Sequence, residues 1–397
     1  MIEELLKPNV QKFIKANENA DPFDLSLNHK EVEGVPIQEI AQQIAARKKA
    51  KLKLPSWYTT NDIIYPPKLS IEQSSSELTA NYKASLVQGK SFVDLTAGMG
   101  VDAWAFSKQI DNGVCVEQSS ELANITSHNI KTLGVQNVSI VNTLAAEFLA
   151  TNKQQFDLVY LDPARRDKHA RKVFTLEDCT PNIIELLPNL KKHGKQTLVK
   201  TAPLMDIDLS IKSLPGVRHV YVVSVNNECK EVLYLIDSVA QAEPIITATN
   251  LEPTNTSEFV FTYQEEATAE IHFGQLKAYL YELNASIMKA GAFKTVAAKF
   301  NLEKLHANTH LYTSVKLIND FPGRMFSVKH LINYNKKEFK QLGIKEKINV
   351  STRNFPDTPE QIKKKLGLQD GGDYYLFGFT DIDNKKKLAI CTKVSKS

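Results

Sequence analysis

Cysteine is scarce in this 397-residue chain. There are four, at 115, 179, 229 and 391, with no CxxC pair and no metal-ligand spacing. That excludes a disulfide scaffold and a zinc ribbon, and a reduced, cytoplasmic protein is the expectation. Long apolar runs are missing too, so no segment is expected to span a bilayer, and residues 1–7 lack a signal-peptide layout. His306, His310 and His330 are too dispersed for a metal site, and no metal is expected. Low-complexity tracts and internal repeats are absent. A strong charge of one sign is lacking as well: the net charge is +4. It is unevenly placed, however, since residues 331–397 hold fourteen Lys/Arg against eight Asp/Glu. Such a module reads either as a polyanion-binding appendage or as a lysine-rich solvated surface.

What the chain has is a regular alternation of strands and helices. Length alone suggests two to four domains. Residues 1–65 read as mostly helical. A capping box of Ser74 and Glu77 is expected to open the helix that leads into the first strand. Apolar runs at 91–95, 113–117, 138–142, 156–161, 196–200, 219–225 and 231–236 alternate with helical patterns at 101–110, 119–132, 144–152 and 176–190. This predicts an α/β fold with a parallel, doubly covered sheet. The last two runs are separated by too few residues for a parallel crossover, so they should pair antiparallel. Seven strands with one reversed is the layout of Rossmann-like class I methyltransferases. Further on, residues 276–290 and a stretch up to Phe300 read as helical, and 331–397 as a small α+β unit. The expected domains are an N-terminal helical region (1–65), a cofactor-binding domain (66–240), a middle segment (241–330) and a basic module (331–397).

Residues 92–100, FVDLTAGMG, describe a strand that breaks into a glycine turn before a helix. The two glycines, Gly98 and Gly100, fall short of the three of a dinucleotide fingerprint, which favours S-adenosylmethionine (SAM) over a nicotinamide cofactor. Asp94 ends the first strand and could hold the ligand's amino group. Glu117 ends the second, 17 residues after Gly100, and would accept the ribose hydroxyls. With Asp94 and Glu117, the expected cofactor-binding set is Thr96, Ala97, Gly98, Gly100, Val101, Asp102, Gln118 and Asp162. In residues 160–166, YLDPARR, Asp162 and Pro163 end the fourth strand, where the acceptor of a methyl group would lie. Lys200, ending the fifth strand, reads either as a catalytic group or as an ordinary surface lysine. Arg165, Arg166, Lys168 and Arg171 form a basic loop suited to phosphate contacts. Cys115, Cys179 and Cys229 match no nucleophile motif.

Several stretches together resemble a known family: QSS at 73–75, VDLTAGMGVD at 93–102, YLDPARRD at 160–167 and NECKE at 227–231. The same is true of KAGAFK at 289–294, HANTHLY at 306–312, FPGR at 321–324 and STRNFP at 351–356. The chain is similar to bacterial SAM-dependent methyltransferases with a C-terminal THUMP-like domain. The resemblance implies a class I methyltransferase domain, a ferredoxin-like segment over 241–330 and a THUMP-like module over 331–397, with RNA (transfer or ribosomal) as substrate and partner. It departs from the common pattern at 142–146, NTLAA, where an acid often contacts adenine. Also, Ala164 and Arg165 stand where amine methyltransferases carry a proline and an aromatic. Two other activities therefore compete: methylation of a protein or small molecule, and binding of SAM or RNA without turnover.

Overall fold

The computed structural model describes residues 2–165, 175–237, 243–253, 255–344 and 347–395. The chain divides into two units, Met1–Val220 with Glu231–Ala242, and Tyr221–Lys230 with Glu243–Ser397.

Strands β1 (Ser91–Asp94), β2 (Asn112–Glu117), β3 (Val138–Asn142), β4 (Phe156–Leu161) and β5 (Gly194–Thr201) belong to the first unit, and β6 (Val217–Val225) and β7 (Glu228–Asp237) follow in chain order, with their inner halves in that unit. They lie side by side as β6-β7-β5-β4-β1-β2-β3. β1 to β5 run parallel and β7 is antiparallel to β5. Strands covered on both faces need apolar side chains throughout, and Phe92, Val93, Leu158, Val159, Leu161, Leu198 and Val199 are all buried. The chain turns from β6 to β7 at Asn226 and Asn227, with φ of 49° and 63°. That left-handed pair is what a two-residue hairpin matching strand twist requires.

The helices that shape the site are α1 (Ile37–Lys53), α2 (Glu77–Ser85), α3 (Val101–Phe106), α4 (Ser120–Thr132), α5 (Ala145–Thr151) and α6 (Ile183–His193). Two expectations need correcting. Ser74 does not cap α2; it ends the preceding helix, and the cap is Ser76, whose Oγ accepts from the Thr79 N–H at 3.2 Å. The pattern at 176–190 begins as a helix only after Asn182, whose side chain accepts from the Ile184 N–H at 3.0 Å.

In the second unit, the outer half of the β6–β7 hairpin is joined by β8 (Ile245–Leu251), which pairs antiparallel with β9 (Thr256–Phe261). A separate sheet holds β10 (Tyr279–Leu283), β11 (Leu311–Ser314), β12 (Gly323–Asn333), β13 (Asn349–Arg353), β14 (Tyr374–Thr380) and β15 (Lys386–Val394). After two short edge pairings, its order is β11-β10-β12-β15-β14-β13. β10 corrects the helical reading of 276–290. Leu280, Tyr281 and Leu283 are buried between β11 and β12, and helix α7 (Ala285–Ala290) starts only at the Asn284 cap. Tertiary burial overrides the helical pattern there. Helix α8 (Phe293–Lys299) follows as expected, and α9 (Lys336–Gln341) and α10 (Pro359–Leu366) flank the last strands.

Candidate active site

The ends of β1, β2, β4 and β5 converge on the glycine turn, the place where open parallel sheets receive ligands. Gly98 has φ +55° and Gly100 φ +82°, both left-handed. A side chain on Gly98 would meet only the Thr96 carbonyl at 3.9 Å, whereas one on Gly100 would reach within 2.8 Å of Thr126. Gly100 is thus required by packing, and Gly98 leaves space above the turn. Thr126 Oγ1 donates to the Gly98 carbonyl at 2.6 Å, fixing the turn from α4.

Glu117 holds the turn from the other side. Its Oε2 accepts from the Gly98 N–H at 2.9 Å and its Oε1 from the Ser119 N–H at 2.8 Å. Each oxygen keeps a further lone pair for another donor. Asn142 Nδ2 donates to the carbonyls of Glu117 and Gln118 at 2.7 and 3.1 Å, so β3 supports the backbone here. Gln118 itself is exposed, Ala97 and Val101 are buried, and Thr96 is half-buried.

Asp94 is 1% exposed and accepts from the Thr96 N–H at 3.0 Å. Burial, opposed by that hydrogen bond, pushes its carboxyl well above the usual range. The Asp162 N–H donates to Thr96 Oγ1 at 2.6 Å, tying the end of β4 to the glycine turn. The Asp162 carboxylate forms an ion pair with Lys200 from β5. Burial alone would lower the Lys200 ammonium, but Asp162, Glu231 and Asp102 outweigh it and hold it above its ordinary value. Pro163 is buried beside them.

Behind this front lies a group of charges without a local sequence signal. Lys83 on α2 is fully buried, and its Nζ donates to Glu231 Oε1 and Oε2 at 2.7 and 2.9 Å and to Ser75 Oγ at 3.1 Å. It also lies 3.3 Å from Asp102 Oδ1. Ser75 and Tyr160 hydroxyls both donate to Asp102 Oδ2 at 2.8 Å. Burial would raise Asp102, yet Lys83 and Lys200 bring it below the usual carboxylate range. Burial dominates at Glu231 and leaves it raised despite the same two lysines. Asp102 was expected to touch a cofactor, whereas its carboxylate is turned into this interior network. Ser75 and Glu231 fall in the family-like stretches at 73–75 and 227–231. Tyr160 opens the family-like stretch at 160–167, and Lys83 could be found only from the fold.

Of the basic loop, Arg166, Lys168 and Arg171 lie outside the described residues. Arg165 is placed on a two-residue strand paired with Cys179. Cys115 is buried, which pushes its thiol well above the ordinary range, and Cys179 is buried too. Among the described residues no His, Cys, Asp or Glu group is arranged to hold a metal, and no helix is long and apolar enough to cross a membrane.

Residues 66–181 match the family described as conserved hypothetical protein 95. Residues 279–322 match a ferredoxin-like domain and 323–393 a THUMP domain-like module. No curated protein sequence matches the chain. Among solved structures, an Escherichia coli protein described as a "putative methyltransferase", YhhF, is 19% identical, with 41% of this chain and 85% of that one covered and a TM-score of 0.31. TrmK of M. capricolum, solved with S-adenosyl-homocysteine, is 11% identical over 42% of this chain and 71% of that one, with a TM-score of 0.33. The structure of a "putative methyltransferase from Porphyromonas gingivalis W83" is 32% identical, covers 99% of both chains and superposes with a TM-score of 0.89. With that agreement along its whole length, the chain belongs to the methyltransferase family that carries ferredoxin-like and THUMP-like domains at its C-terminal end.

Proposed function

We propose that the protein is a SAM-dependent methyltransferase acting on RNA. The observation that carries this reading is the hydrogen bond from the Asp162 N–H to Thr96 Oγ1, which seats an acidic strand end directly over the glycine turn. Among the described residues Asp94, Asp102, Glu117, Asp162 and Glu231 gather at this end of the sheet, where the ion pairs are those of Lys83 and Lys200, so it is rich in carboxyl groups. A ligand bearing an ammonium and a sulfonium suits that surplus, and the open space at Gly98 leaves room for its chain. Bound SAM supplies an activated methyl group with its own leaving group, so the protein's work is mainly positioning.

In this reading Asp94, Thr96, Ala97, Gly98, Gly100, Val101 and Asp102 form or brace the cradle for the amino-acid end. Glu117, with Gln118 beside it, accepts the ribose hydroxyls through its remaining lone pairs. Asp162 accepts hydrogens of the attacking amine or hydroxyl, and Pro163 stiffens the strand end. Lys200 stays protonated and fixes the orientation of the Asp162 carboxylate. Arg165, Arg166, Lys168 and Arg171 would meet phosphates of the substrate. The THUMP-like module and its basic composition favour RNA over a protein or small molecule.

The test is incubation of the purified protein with tritiated-methyl SAM and total RNA from cells lacking it. Label should enter RNA and be lost in Asp162→Ala. Calorimetric binding of S-adenosyl-homocysteine without any labelled RNA would instead favour another substrate or a non-catalytic sensor.

A further inference from the structure

The THUMP-like module contains a cleft of about 700 Å³ lined by Tyr334, Lys336, Gln361, Lys364, Lys365 and Leu366. Three lysines from two helices, α9 and α10, therefore share one opening. Such convergence is unfavourable unless acids answer it. Only one does. Asp357 accepts from Lys365 Nζ at 2.5 Å and from the Tyr334 hydroxyl. Among the described residues Lys336 and Lys364 have no carboxylate within ion-pair range, while the neighbouring Lys363 is tied to Asp370 at 2.8 Å.

Helix stability explains Lys364 and Lys365, which sit in the last turn of α10 and complement its dipole. It does not explain Lys336, which opens α9, the end where a cation is disfavoured. The floor is apolar: Leu366 is buried, and the Tyr334 ring is packed by Phe355 with centroids 4.9 Å apart. A cationic rim over an apolar floor matches a chain whose charges alternate with flat, weakly polar groups.

We propose that this cleft binds a single-stranded RNA segment, with phosphates at Lys336 and Lys364 and a nucleoside against Tyr334 and Leu366. The proposal rests on the RNA reading above and names the surface that captures the strand.

The test uses the full chain and a fluorescein-labelled twelve-nucleotide single-stranded RNA, followed by anisotropy across a salt series. Lys336 and Lys364 are exposed, so the double variant K336Q/K364Q keeps the fold. Losing two single-strand phosphate contacts should flatten the slope of log K against log salt by about 1.4 and weaken binding on the order of 10-fold. The exposed lysines of a K48Q/K131Q control, with the same charge change, should leave both quantities near wild type. Wild-type affinity and slope in K336Q/K364Q, an equal loss in the control, or no binding by the unaltered protein would each overturn the assignment. The two readings fail separately. RNA held at the cleft but never labelled would sink the methyl-transfer reading alone. Labelled RNA with an unimpaired double variant would sink the cleft alone.

Discussion

Lys83→Met is the most informative single change to the first unit. Lys83 is fully buried and provides two hydrogen bonds to Glu231, itself 2% exposed. Methionine fills nearly the same volume but leaves Glu231 and Asp102 without their nearest cation. Removing one partner of a buried pair costs about 3–5 kcal/mol, because the other charge stays out of water. For a unit of this size that lowers the melting temperature on the order of 10 °C. The loss should depend on pH. With Lys83 gone, Glu231, already raised by burial, moves further up and binds a proton on folding. The native state then holds more protons than the unfolded one, so the variant's stability falls as pH rises. The deficit should be larger at pH 8 than at pH 5.5 in urea unfolding followed by tryptophan fluorescence. The double variant Lys83→Met with Glu231→Leu should recover most of the loss, since a buried pair exchanged for apolar groups of similar size is close to neutral. A deficit below about 1 kcal/mol for Lys83→Met, or a double variant as unstable as the two single losses summed, would refute this account of the interior.

Gly100→Ala should cost about 1–3 kcal/mol, since it combines φ +82° with a 2.8 Å approach to Thr126, and should weaken S-adenosyl-homocysteine binding by calorimetry. Gly98→Ala, which meets open space, should disturb folding less; equal destabilisation of the two variants would contradict the packing argument. Asp94→Asn should raise the melting temperature at pH 8 while reducing ligand affinity. Because the folded Asp94 carboxyl is raised, its contribution to stability is present at low pH and lost as pH rises, so this gain should shrink toward pH 4.5. In the second unit, Glu282 is 1% exposed and paired with both Arg324 and Arg353. Glu282→Gln should destabilise by about 2–4 kcal/mol in thermal unfolding, and a shift within error would show that the arginines find water instead.

The sheet was legible because buried parallel strands are written as mostly apolar runs, such as FDLVYL at 156–161, and three of them end at an acid, Asp94, Glu117 or Asp162. Their ends also carry the candidate ligand contacts, so Asp94, Glu117 and Asp162 could be read from position alone. Lys200 was less certain, since only the fold shows that β5 brings it against Asp162. Lys83 had no signal at all. In NYKAS at 81–85 it looks like any surface lysine, and its partner lies 148 residues away. The strand at 279–283 was hidden by the same locality: YLYEL suits a helix until β11 and β12 enclose it.

The hairpin that ends at β7 also sets an order of events during synthesis. Glu231 leaves the ribosome 148 residues after Lys83, roughly 7–30 s later at ordinary elongation rates. Until then the glycine turn, β1 and β2 exist as chain, but the lysine beneath them has Asp102 alone as counterion, without its two hydrogen bonds to Glu231, and the sheet lacks its closing strand. The nascent first unit therefore cannot bury Lys83 at low cost until β7 arrives. A stall or truncation between residues 201 and 231 would leave an open sheet with an exposed edge on β5, a state suited to chaperone capture rather than to cofactor binding.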